Sequence, residues 1–460
     1  MAPASREEIL EGPVLRIMAR LGWPAMVFGL LNTLYNLADA FWIGHLPGGE
    51  AGASVAGIQA SWPIVWFLIS FAAGVGGAAV SALVSQYIGA GRYAEANTSL
   101  NQLLSLGLVL GVGLGILGFL WAAPLVRMLV PVEAVAEAAT TYIRLIFLGL
   151  PFLFIPSLFY YALAAAGDTL TPMFVNGAGV ILNIALDPFW IFGWGPFPRE
   201  GIAGAAYATL LSQGLTATAC LWVLYRGVGH LRLSWRELRP RLSWALKALR
   251  IGLPAGLGSS SVALGFVVLT GLIGRLPRAE IALAAYGIAD RLLGILFVVS
   301  DGLSTGFTTM VGQALGAGRF QRAGEVVRKG ILTLFLLLAG ESLVLYLLRH
   351  PLVAIFIPGR EDVIAEGARF ISIFSVGMPF LGLFFAASAV YRGAGHNVPT
   401  MVLGILRLWA LRIPLSWLFG FALGWGSGGI WWGMTASNIV AGLGALALLT
   451  SGSWRRRVVD

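Results

Sequence analysis

QYIGAGRYAEA at residues 86–96 returns as QALGAGRFQRA at residues 313–323. Working outward, LGWPA at 21–25 returns as IGLPA at 251–255, LGLPF at 148–152 as VGMPF at 376–380, and AAAGDTLTPM at 164–173 as RGAGHNVPTM at 392–401. The order is kept, and the offsets are 227, 230, 228 and 228 residues. Four matches in the same order at nearly one offset mean two copies of one structural unit.

Composition says what the unit is. The chain has 460 residues, 58% hydrophobic and 11% charged, with a mean hydropathy of +0.84. A soluble domain carries about 25% charged residues, so this is a polytopic membrane protein. A helix needs about 20 apolar residues to cross a bilayer. Twelve such spans are expected, at about 16–43, 53–86, 98–122, 139–164, 171–194, 203–225, 247–273, 282–314, 326–348, 367–391, 400–423 and 429–450. Six spans per half leave the halves in the same orientation. The expected fold is therefore all-α and integral to the membrane, two parallel six-helix repeats around a central cavity. The N-lobe is expected at 1–230, a basic cytoplasmic linker at 231–250 and the C-lobe at 251–460. Secondary transporters use repeats of this kind, with substrate bound between the halves.

Charge sets the orientation. The connection between spans 6 and 7 carries Arg226, Arg232, Arg236, Arg239, Arg241, Lys247 and Arg250 against one acid, Glu237. Arg319, Arg322, Arg328 and Lys329 follow span 8, and Arg455, Arg456 and Arg457 close the chain. All lie on one side of a twelve-span path, so both termini are expected in the cytoplasm. The net charge of +9 then reflects basic loops on anionic lipid, and no nucleic-acid partner is expected. The single cysteine, Cys220, leaves no disulfide within the chain, and four scattered histidines argue against a metalloenzyme. The first residues, MAPASREEILEGP, lack the charge and apolar pattern of a cleaved signal, so the first span is expected to stay.

Two stripes of polar residues interrupt the apolar runs. Asn32, Asn36 and Asp39 stand at i, i+4 and i+7 in NTLYNLAD, on one helical face. Asn176, Asn183 and Asp187 stand at i, i+7 and i+11 in span 5, again on one face. A carboxylate at mid-membrane costs about 2.5–3.5 kcal/mol on insertion scales. Two of them, each on a stripe of amides, mark an internal polar site. Two carboxylates close together in low dielectric cannot both ionise cheaply, so the pair is suited to taking up and releasing a proton. With amide and hydroxyl oxygens added, the same group would nest Na⁺.

With these residues in view, the chain resembles the multidrug and toxic compound extrusion (MATE) transporters over essentially its whole length. The most specific piece is LNIALDPFWIFG at 182–193 followed by GIAGAAYATLLSQ at 201–213, which looks like the DinF-like and archaeal branch. The resemblance implies antiport of organic cations or amphipathic compounds against H⁺ or Na⁺, with no cofactor. It also implies a monomer in the plasma membrane of a prokaryote. Carried over residue by residue, it implies a coupling site at Asp39, Asn183, Asp187 and Thr209, with Na⁺ as a possible occupant. Thr209 heads a stripe with Ser212, Gln213 and Thr216 on span 6. One departure is clear. The NorM-like branch carries coupling acids in spans 7 and 10, and here neither VALGFVVLTGL at 262–272 nor FSVGMPFLGLFFAASAV at 374–390 contains one.

Asn32, Tyr35, Asn36, Trp62, Tyr160, Asn176 and Gln213 are candidates for a substrate cavity, with Trp66, Phe154 and Tyr161 as further aromatics for cation–π contact. Asp290, Arg291, Asp301, Glu341, Arg407 and Arg412 are expected to pair as a network in the second half, and Trp431 and Trp432 to sit in the interfacial belt. The alternatives are a flippase for lipid or lipid-linked precursors, an intramembrane enzyme and a channel. An acidic N-lobe site disfavours an anionic headgroup there, and no nucleophile–base pair points to an enzyme.

Overall fold

The structure is a computed structural model describing residues 3–46, 57, 61, 64–71, 73–130 and 133–459. The spans run Val14–Gly44, Ile64–Gly89, Tyr93–Met128, Glu133–Leu148 with Leu150–Ala165, Leu170–Phe192, Ile202–Arg226, Leu242–Ile273, Ala279–Gly316, Phe320–Phe356, Glu361–Ala394, Val398–Ala422 and Gly426–Thr450. Helices satisfy every backbone group from within, which is what a bilayer demands. Span 4 differs from the unbroken helix expected at 139–164: its two pieces meet at a bend of 54°. Pro151 has no N–H for the carbonyl of Phe147, and its ring crowds that carbonyl, so the helix turns there.

The repeat is visible in the contacts between the halves. Gln86 Nε2 donates to the carbonyl of Gly393 at 2.9 Å, and its repeat mate Gln313 donates to the carbonyl of Ala165 at 2.9 Å. Gly393 and Ala165 are themselves repeat mates, 228 residues apart. The helices cross so closely here that a Cβ on Gly89 would fall on the carbonyl of Gln313, and one on Gly316 on the carbonyl of Gln86. The G-A-G-R loops that follow turn through Gly91 and Gly318 at φ of 74° and 70°, a region that L side chains avoid. The motif is thus a helix crossing followed by a left-handed turn, made twice.

Both chain termini close over this end. Arg6 reaches the carbonyl of Gly89 at 2.8 Å, and Arg319 pairs with Glu11 at 2.9 Å. Ala4, Ile9, Leu10 and Val14 pack into one core with Phe307, Val390 and Trp454 from the second half. Val459 and Ile251 pack in return with Leu83, Phe159 and Leu224 of the first half. The linker is strapped down as well. Asn97 accepts from the N–H of Arg232 at 2.6 Å, Asn101 from Ser234 at 2.9 Å and Gln102 from Arg241 at 2.8 Å. The basic segment therefore has a fixed backbone path along the end of span 3.

At the tail, His396 Nε2 lies 3.1 Å from the carbonyl of Arg456. Partial burial holds its imidazole below the ordinary value, with the carbonyl opposing that and the charges of Arg456 and Arg250 adding to it. The undocked tail thus binds the proton more readily than the docked one, so docking weakens as pH falls through about 6.5, the unperturbed value. Hydrogen exchange at residues 455–459, corrected for its intrinsic pH dependence, is expected to accelerate over that range and to stay flat in His396→Gln. Equal acceleration in both would remove His396 from tail docking.

Candidate functional site

Spans 1, 5 and 6 of the first half pack together and bring Asp39, Asn183, Asp187 and Thr209 into one buried group. Asn183 and Asp187 have no exposed surface, while Asp39 and Thr209 retain 6% and 5%. The spacing of four between Asn183 and Asp187 sets them on consecutive turns, and Asn183 Nδ2 donates to Asp187 Oδ1 at 3.4 Å. The carboxyls of Asp39 and Asp187 are close enough to act on each other. Tyr35, one turn before Asp39, shares a hydrogen bond of 2.8 Å with the Thr209 hydroxyl. Pro188 carries no N–H, so the carbonyl of Ile184 is released beside the pair.

The atoms without partners define the chemistry. Asp39 Oδ1, Asn183 Oδ1 and Asp187 Oδ2 are all buried, and among the described residues none donates a hydrogen bond to them. All three are acceptors. An uncompensated buried charge costs several kcal/mol, so this group is built for something that donates: a proton between the carboxyls, or a bare cation among oxygens. Hard cations such as Na⁺ take oxygen ligands, as Ca²⁺ and Mg²⁺ do.

Tyr142 was missed by the sequence reading. It is buried on the first piece of span 4, close enough to Asp39 and Asp187 to feel both charges. Its only sequence signal was a tyrosine on the apolar face of TTYIRLIF. The other cavity candidates scatter. Asn176 turns back to the carbonyl of Pro172 at 2.8 Å, and Asn32 to that of Phe28 at 3.1 Å. Shared helical faces put both on the right stripe, but two to three turns from the acids. Gln213 is half-buried. Tyr160 stacks on Phe28 at 4.6 Å and meets Thr305 of the other half at 3.3 Å, which puts it at the lobe contact. Phe154 is buried and Trp66 is 47% exposed. Trp62 and the side chain of Asn36 lie outside the described residues.

Two expectations for the second half are corrected. Among the described residues, no acid pairs with Arg407 or Arg412 within 4.0 Å; both guanidiniums bond instead to the amide oxygen of Asn438. Asp290 and Asp301 are exposed, and both carboxylate oxygens of Glu341 are buried without partners. Trp431 is not a belt residue. It is fully buried, stacked with Tyr286 at 6.1 Å, and donates to Glu366 at 2.7 Å. An inward-facing indole with a polar partner gains more from the core than from the interface. Trp432, next in sequence, is 42% exposed.

Two pseudosymmetric helical lobes with polar groups buried inside them define a membrane transporter, not an enzyme. The MatE family model matches residues 24–189 and again residues 254–418, starting 230 residues apart as the repeat does. The chain belongs to this family, the multidrug and toxic compound extrusion transporters. It is 28% identical over 449 residues to the probable multidrug resistance protein YpnP of Bacillus subtilis, covering 97% of each chain. It is 29% identical over 418 residues to the FAD transporter of Shewanella oneidensis, covering 89% of each. A crystal structure of a MATE protein in a bent conformation superposes with a TM-score of 0.88 at 26% identity, covering 99% of both chains.

Proposed function

We propose that this efflux transporter is a secondary antiporter that expels organic cations or amphipathic compounds in exchange for H⁺ or Na⁺. Coupling runs through Asp39, Asn183, Asp187 and Thr209. The observation that carries the reading is the trio of buried acceptor oxygens on Asp39, Asn183 and Asp187. With the site empty, two carboxylates repel across a short gap. A proton or Na⁺ converts the repulsion to attraction and draws span 1 against span 5, where Pro188 leaves the helix free to bend. A cationic substrate competes for the same charge, so ion and drug alternate and exchange is obligatory. The lobes at 1–230 and 251–460 rock about the closed end, with the linker at 231–250 strapped to the first. The chain works as a monomer, since each copy holds both lobes, in a prokaryotic plasma membrane with both termini in the cytoplasm.

The test is efflux of a fluorescent organic cation from proteoliposomes under an imposed pH gradient or an imposed Na⁺ gradient. Wild type is expected to respond to one of them, which names the ion, and Asp39→Asn to neither. Flux that needs no gradient, or an Asp39→Asn variant as active as wild type, would defeat the proposal.

A further inference from the structure

The second half contains a buried group of the opposite polarity. Arg407 and Arg412 are 6% and 2% exposed, deep in span 11. In an α-helix, residues five apart point about 140° away from each other. Here Leu406–Arg412 winds as a π-helix, whose i→i+5 closure sets them in line. Asn438 Oδ1 accepts from Arg407 Nη1 at 3.0 Å and from Arg412 Nη2 at 2.6 Å, and Ser437 Oγ accepts from Arg412 Nε at 3.1 Å. Phe384 stacks 4.9 Å from the Arg407 guanidinium, and Phe266 lies 5.8 Å from that of Arg412. Two cations thus share one neutral acceptor.

The charge is not made up nearby. Asp290, with Arg291 beside it, and the Tyr286 hydroxyl act on Arg412 only from beyond bonding distance. Among the described residues no acid lies within 4.0 Å of Arg407, and Arg412 is the charge that acts on it. Among the described residues, Arg407 Nε and Asn438 Nδ2 are buried without partners. The orientation of the Asn438 amide is fixed, because its oxygen takes both guanidiniums. The orphan atoms of Arg407 and Asn438 are donors, whereas those of Asp39, Asn183 and Asp187 are acceptors. Several kcal/mol attach to each uncompensated buried charge, and the planar fork of arginine matches a carboxylate or phosphate two bonds at a time.

We propose that the π turn at Leu406–Arg412, with Asn438 and Ser437, is an oxyanion site that binds a carboxylate or phosphate group on a solute or a lipid headgroup. The site goes beyond the antiport reading and does not depend on it. Phosphate approaches with two oxygens toward the guanidiniums, and the unused N–H groups of Arg407 and Asn438 close on it.

The test is thermal unfolding of the purified full-length protein in neutral detergent, with inorganic phosphate titrated against KCl at matched ionic strength. A saturable rise of about 2 °C or more beyond the KCl control is expected for wild type. In Arg407→Gln the response is lost. Because that variant takes a buried guanidinium away from Asn438 and Phe384 and can misfold, Asn438→Asp is the second arm. It supplies the missing carboxylate, so it is expected to unfold no lower than wild type and to ignore phosphate. The same series in nanodiscs, with phosphatidylglycerol replacing part of the phosphatidylcholine, separates the sources. A rise with phosphatidylglycerol but not with free phosphate assigns the site to a headgroup. Responses no larger than with KCl in both media, or a response that survives in Asn438→Asp, would overturn the site. Asp187→Asn is expected to keep the phosphate response, so failure of the coupling reading would leave this one standing.

Discussion

Asp187→Asn is expected to reduce gradient-driven efflux to the level of protein-free liposomes, a loss of about 100-fold or more. The substitution is close to isosteric. It keeps an oxygen to accept from Asn183 Nδ2, the bond that spans 3.4 Å. What it removes is one of two charges in a group where Asp187 has no exposed surface at all. If the ion is H⁺, the pair loses the ability to share a proton, because a lone Asp39 beside neutral amides has no partner with which to exchange it. If the ion is Na⁺, the nest falls from two formal charges to one, and ligand charge count is the main lever on the affinity of hard-cation sites. Both routes end in a transporter that the gradient no longer drives. Stability moves the other way: relieving two like charges in a buried space is expected to leave the unfolding temperature unchanged or higher. Efflux and thermal unfolding measured on one preparation check both halves. Efflux above about a tenth of wild type would show that Asp187 is structural. A fall in stability with the loss of efflux would leave misfolding as the explanation.

The sequence carried the spans because apolar runs near 20 residues leave the chain few other options. It carried Asp39, Asn183 and Asp187 because polar residues are conspicuous there and helical spacing puts them on one face. Thr209 needed the family resemblance, since a threonine in GAAYAT looks like any small packing residue. Tyr142 had no such support: it sits on the first piece of span 4, ahead of the break at Gly149–Pro151, a bend of 54° that a hydropathy run does not show. The arginines were legible as buried charges but not in their partner. A spacing of five places Arg407 and Arg412 on different faces of an α-helix, and nothing in LRLWALR announces the π turn that reunites them. The linker misled by its charge. Its arginines suggested lipid, while Asn97, Asn101 and Gln102, amides at the start of span 3, fix its backbone.

Gly89→Val is expected to hold the end that carries both termini open. A Cβ at Gly89 falls on the carbonyl of Gln313, and its symmetry mate at Gly316 on the carbonyl of Gln86. Backbone is the obstacle in each case, so no rotamer relieves it, and the helices must separate. Separation also stretches the two cross-lobe bonds, Gln86 to Gly393 and Gln313 to Ala165, each 2.9 Å. Buried hydrogen bonds of this kind contribute about 1 kcal/mol each, and overpacking a tight contact costs roughly 1–3 kcal/mol. Moving a two-state balance from 1:99 to 99:1 takes about 5.5 kcal/mol, so one valine is expected to shift the populations substantially and Gly89→Val with Gly316→Val nearly completely. Alternating access needs both states, so efflux should fall about tenfold or more in the double variant while the protein remains folded. Spin labels on Ala94 and Gln321, exposed repeat mates just past the two crossings, read the state directly. The single native cysteine, Cys220, is buried and leaves the introduced thiols to take the label. The distance distribution is expected to lengthen in Gly89→Val and further in the double variant. Gln86→Ala with Gln313→Ala should lengthen it less, because removing the bonds withdraws support without wedging the helices apart. An unchanged distance in the double valine variant would mean that the crossing yields locally, and the two glycines would then be packing residues with no hold on the transport cycle.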